Sequence, residues 1–162
     1  MKLILTAACF LFTLFAFNHQ QADAVSWKTF RNESYGIEFK YPAIWWLEES
    51  KNNGEVVIKT AAKAELYAFV VRVGTQKPPS FIFESGLTQQ VQIDGASHTA
   101  YLFTKERCPQ EAGECPAFYI PVQVKDRWYL LEGRRGIEGN RIAEDSIYPA
   151  LLQTIRFTSA GH

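Results

Sequence analysis

The chain has 162 residues, 17 Lys and Arg against 17 Asp and Glu, and aromatic residues at 14%. That length suits one hydrophobic core and one domain. A formal net charge of zero leaves no long-range field to steer the chain to nucleic acid or to an anionic membrane surface, which excludes both as charge-driven partners.

In chain order, Met1 and Lys2 give a short positive start, and residues 3–17 then run without a charge. Such a run matches the hydrophobic region of a signal peptide and falls short of the roughly 20 residues of a membrane-spanning helix. Ala22-Asp-Ala24 is a small-x-small cleavage site, so residues 1–24 are expected to be removed and the mature domain, residues 25–162, to begin at Val25. Two alternatives are acylation of Cys9 within Leu5-Thr-Ala-Ala-Cys9 and an uncleaved anchor. The apolar stretch before Cys9 is too short for the first. A cleaved signal implies an exported protein, periplasmic or extracellular, with no stable membrane insertion.

Residues 36–41 alternate apolar and charged side chains, the period of a half-buried strand, with Ile37, Phe39 and Tyr41 facing a core. Residues 45–48 and 55–60 read as further strands, split by the turn-forming Lys51-Asn-Asn-Gly54. Trp45 and Trp46 cannot both face inward on one strand. Residues 66–73 are apolar on both alternating faces, which predicts a central strand. Pro78-Pro79 breaks the chain before a short helical turn over 80–85. Strands are expected over 88–93, 98–104, 117–125 and 127–133, the third of them at an edge or bulge because Pro121 has no N–H to give to a ladder. Ile147, Tyr148, Leu151, Leu152 and Ile155 recur at helical spacing, with Pro149 tolerable in a first turn. A short terminal strand over 156–158 follows. The elements sum to an antiparallel sheet with helices packed on it, class α+β.

Few residues point to chemistry. Of three cysteines, Cys9 lies in the signal, and Cys108 and Cys115 remain. In an oxidising compartment an isolated pair in Cys108-Pro-Gln-Glu-Ala-Gly-Glu-Cys115 reads as a disulfide closing a small loop, worth about 2–3 kcal/mol on chain entropy. A redox switch or half of a metal site are the alternatives. Redox pairs usually stand two residues apart, and zinc would need ligands that the neighbourhood lacks. His98 is the one histidine inside the mature fold, and no Gly-x-Ser-x-Gly elbow accompanies it. Carboxylates are scattered, and nothing selects a pair for acid–base work. No catalytic residue, metal ligand or cofactor is therefore assigned. Arg134 and Arg135, with Arg127 and Arg141 nearby, form the one basic concentration. Glycines at 133, 136 and 139 place them on a loop, where Arg forks suit a partner's carboxylate or phosphate groups, or where they are simply solvated and balanced by Glu132, Glu138 and Glu144. Asn32-Glu-Ser34 fits an N-glycosylation acceptor.

Phe30-Arg-Asn-Glu-Ser-Tyr-Gly-Ile-Glu-Phe-Lys-Tyr-Pro-Ala-Ile-Trp45 resembles the opening of PsbP-like domains, where a strand entering Phe-x-Tyr-Pro is soon followed by Trp. Ile147-Tyr-Pro-Ala-Leu-Leu-Gln-Thr-Ile-Arg-Phe157 resembles that family's closing helix and final strand. Val91-Gln-Ile-Asp-Gly-Ala96 and Arg127-Trp-Tyr-Leu-Leu131 are similar to segments between them. The resemblance spans about residues 27–158 and implies an α/β/α sandwich and an accessory role without catalysis. The photosystem role of plant and cyanobacterial members is not carried over, because no functional motif of that system stands in this sequence. The expected function is an exported, non-enzymatic binding or assembly module. It would engage a protein partner in the envelope or medium through Trp45 or Trp46 and through Arg134 and Arg135. The alternatives are a secreted hydrolase with convergent carboxylates, and a protease inhibitor presenting the Cys108–Cys115 loop.

Overall fold

The computed structural model describes residues 26–50, 54–63, 67–104, 116–134 and 147–158. The signal segment with Ala22, Ala24 and Val25, the Cys108–Cys115 pair and Arg135 lie outside the described residues. In chain order the elements are β1 (Trp27–Asn32), β2 (Ile37–Pro42), β3 (Trp46–Ser50), β4 (Glu55–Lys59), β5 (Tyr67–Gly74), a 3-10 helix (Ser80–Glu84), β6 (Thr88–Ile93), β7 (Ala96–Leu102), β8 (Pro116–Val124), β9 (Arg127–Arg134), α1 (Ile147–Thr154) and β10 (Arg156–Phe157). They form two antiparallel sheets, a small one ordered β1-β2-β10 and a large one ordered β3-β4-β5-β9-β8-β7-β6.

The expected α/β/α sandwich is not what forms. The described residues are mostly strand, with one α-helix, and the layer facing the large sheet is the small sheet together with α1. The reason lies in where apolar side chains fall. Phe30 and Phe39 give the small sheet a buried apolar face that needs a partner surface of its own, so it packs where the resemblance implies a helix. Rings then link the layers: Phe30 to Phe39 at 5.1 Å between centroids, Phe39 to Phe69 at 6.4 Å, Phe69 to Tyr148 at 6.4 Å and Tyr148 to Phe118 at 5.0 Å. Each fully buried Phe, Leu or Ile in this core contributes about 1.5–3 kcal/mol.

Local chemistry explains the strand ends. Asp94 and Gly95 adopt φ of 51° and 78°, the left-handed pair of a tight hairpin turn between β6 and β7. Pro121 does not put β8 at an edge, since β8 lies between β7 and β9. Its effect is local. Phe103 N–H donates to Ala117 O at 3.0 Å, so alternation aims the position of Pro121 N at β7, and the β7–β8 ladder stops at Tyr101 opposite Tyr119. The α1 segment forms as its spacing predicts, with Tyr148, Leu151 and Leu152 buried on the core side and Pro149 in the first turn.

The two faces of the large sheet are not treated alike. Its inner face carries the core. On the outer face the 3-10 helix sets Ile82 against Phe103 and Tyr119, a second, smaller cluster over β7 and β8. The outer face of β3, β4, β5 and β9 carries charged and aromatic side chains around Val57, Val70 and Leu130.

Candidate functional site

Register brings that outer face together row by row. Trp46 stands opposite Lys59, and Lys59 opposite Tyr67, across β3, β4 and β5. The Arg134 guanidinium lies 4.7 Å above the centre of the Tyr67 ring, completing a row from Trp46 on β3 to Arg134 on β9. In the next rows, Val70 faces Glu132 and Glu55 faces Arg72. Lys59 Nζ also reaches Glu48 at 2.8 Å.

Glu132 is the centre of this network and is 2% exposed. A carboxylate that deep is costly unless donors replace its water. The Tyr67 hydroxyl donates to one of its oxygens and Arg72 to the other. Arg72 uses Nε as well, donating to Glu55 Oε2 at 2.8 Å. Burial works against the Arg72 charge, but Glu132 and Glu55 more than offset it and raise its pKa above the ordinary guanidinium value. Burial first, then the Glu132 charge and hydrogen bond, push the Tyr67 phenol well above its usual range. Two carboxylates do converge here, as the hydrolase alternative requires, but they converge on a guanidinium that stands between them. The arrangement fixes charge in place and stiffens the face.

The sequence-based candidates divide as follows. Trp45 and Trp46 part company at the turn where Trp45 N–H donates to Pro42 O at 2.9 Å and the chain passes from the small sheet to the large one. Trp45 drops into the core at 9% exposure, whereas Trp46 is 52% exposed and Ile44 beside it 85% exposed. Arg134, expected on a solvated loop, is instead the last residue of β9 and 8% exposed. Its stacking on Tyr67 is worth about 0.5–2 kcal/mol. His98 lies on β7 opposite Val91, and burial lowers its pKa against the opposing pull of the Ile93 backbone and Asp94. Asn32 turns Nδ2 to the Glu49 carboxylate and accepts the Tyr35 N–H at 2.8 Å. Among the described residues no group of three or more His, Cys, Asp or Glu side chains is placed to hold a metal ion, and no helix is long and apolar enough to cross a membrane.

Sequence reasoning missed Glu55, Lys59, Tyr67 and Arg72. Their signal was weak: each is a polar position on a strand with a buried opposite face, and only strand order makes them neighbours.

Neither a family model nor a curated protein matches the chain. Among solved structures it is similar to the solution structure of cyanobacterial PsbP (CyanoP) from Synechocystis sp. PCC 6803. The identity is 13%, the match covers 85% of this chain and 95% of that one, and the TM-score is 0.45. The likeness is partial, and the functional reading rests on this chain's own side chains.

Proposed function

We propose that this chain is an exported, non-enzymatic binding module that docks a protein partner in the envelope or medium on the outer face of its large sheet. Trp46 and Ile44 are the anchors. The observation that carries the reading is a half-exposed Trp46 on the rim of a face whose charges are already mutually paired, with an 85%-exposed Ile44 two residues before it in the preceding turn. An exposed aromatic held by a rigid strand gives contact area at little entropic cost, and such residues dominate binding energy at interfaces. The paired charges behind it form a stiff polar surround.

The carboxylate-hydrolase alternative is less well supported, because Arg72 occupies the space between Glu55 and Glu132 that a substrate would need. The inhibitor alternative rests on residues 108–115, outside the described residues.

The test places a photo-crosslinking residue at position 48 in the wild-type chain and in a variant carrying Trp46→Ala and Ile44→Ser. Both are exposed to the envelope and medium of the exporting cell. One discrete adduct is expected with wild type, reduced about tenfold or more in the variant, while the melting temperature changes little. Equal adduct yield from both chains would refute the docking surface.

A further inference from the structure

The large sheet has two end strands, and they are built differently. At one end β3 carries Glu48 and Glu49, charges of the kind that protect a free edge. At the other end β6 reads Thr-Gln-Gln-Val-Gln-Ile, with no charge, no proline and no break in its register with β7. Among the described residues no strand pairs with its outer side.

From this edge we infer that β6 pairs with β6 of a second copy of the chain, antiparallel and centred on Gln90. Backbone geometry sets the register. Leu102 N–H donates to Leu87 O at 2.9 Å, so alternation turns the N–H and C=O groups of Thr88, Gln90 and Gln92 away from β7. A two-fold axis through Gln90 sets Gln90 against its own copy and Thr88 against Gln92 of the other chain, which satisfies all three outward residues on both strands. The same operation applied to β3 about Glu48 would oppose two carboxylates, which is destabilising. Neutrality is thus the complementarity that selects the copy, and a formal net charge of zero adds no repulsion between whole molecules.

Space permits the approach. A groove of about 360 Å³ runs beside the edge between β6 and α1, lined by Gln89, Val91, Pro149, Leu152 and Gln153. The two-fold keeps inner faces together, so Gln89 and Val91 of the second copy enter on this side, against an apolar floor rimmed with amides. The surface lies at the opposite end of the sheet from Trp46, so the two can fail separately.

Analytical ultracentrifugation of the purified chain tests the inference. Wild type is expected to show a concentration-dependent monomer–dimer equilibrium. Gln90→Pro removes an N–H that β7 does not use, so the fold stays intact while dimerisation weakens about tenfold or more. Gln90→Lys and Gln90→Glu are each expected to be monomeric alone and to form a heterodimer when mixed, because only this register places residue 90 against residue 90. A wild-type chain that stays monomeric overturns the inference, whether a foreign extended peptide or another segment of the same chain covers β6. A dimer unaffected by Gln90→Pro, or a mixture of the charged variants that does not associate, overturns it equally.

Discussion

Gly133 occupies an inner-face position of β9 directly opposite Phe118, and the absence of a side chain there is what makes room for the Phe118 ring. A Cβ at Gly133 would stand 2.1 Å from Phe118 Cε1 and 2.2 Å from Cζ, well inside contact distance. That ring is fully buried and meets Tyr148 edge-on at 5.0 Å, so it has nowhere to retreat without disturbing α1. Gly133→Ala is therefore expected to destabilise the fold by about 1–3 kcal/mol, the usual range for overpacking a close-packed core. Urea titration would read this as a lower midpoint at unchanged slope, and adding Phe118→Leu to make room should recover part of the loss. An unchanged midpoint for Gly133→Ala would mean that the ring is not confined as described.

At the scale of elements, the outer face of β4, β5 and β9 behaves as one unit because its charges are shared between strands. Its pH response follows from Tyr67. The unfolded phenol ionises near its ordinary pKa of 10.0, whereas in the fold burial and Glu132 keep the proton on. The folded chain thus holds this proton more tightly, so the contribution is complete below about pH 10 and drains away as pH rises beyond it. Tyr129 shifts in the same direction, chiefly through burial, and remains in both chains compared. Wild type is expected to lose thermal stability above pH 10 more steeply than Tyr67→Phe, and superimposable alkaline melting curves would count against the network. Little of this site was legible in the sequence. Arg72 stands 17 residues from Glu55 and 60 from Glu132, and no local pattern joins them. What could be read was whatever a single segment decides: that Trp45 and Trp46 do not both face the core, the strand over 88–93, and the helical spacing of α1. The strand β1 escaped notice because only Phe30 in it is buried, leaving no alternation to detect. The small sheet as a layer escaped for a different reason. Its third strand, β10, comes from the far end of the chain from β1 and β2, so the pairing of β10 with β2 leaves no mark on either segment.

That last feature governs the whole molecule. The middle strand of the small sheet, β2, is flanked by β1 near the start of the described chain and by β10 at its end, so the layer cannot close until the last residues are in place. Phe157 of β10 and Thr158 just beyond it do much of the fastening. Phe157 sets its ring 4.6 Å from that of Tyr129, whose hydroxyl donates to Tyr35 O at 2.8 Å, and its N–H donates to Asp94 Oδ2 at 3.0 Å. Thr158 N–H then reaches Gly36 O at 2.9 Å. One short segment thereby ties the β1–β2 turn, the start of β9 and the β6–β7 turn together. Pairings this distant in sequence form late and depend on the rest of the topology, the regime of slow-folding β proteins. Phe157→Ala is expected to cost about 1–3 kcal/mol from lost burial and ring contact. Ending the chain after Thr154 removes the buried Ile155 and β10 together and should do more than add to that cost. It leaves the apolar face of β1 and β2 with no register to hold it on the core, so cooperative unfolding and the near-ultraviolet aromatic dichroism should both disappear. Ending the chain after Thr158 should leave both intact. A cooperative transition retained by the shorter chain would show that the large sheet and α1 form a core sufficient on their own, with the small sheet an attachment.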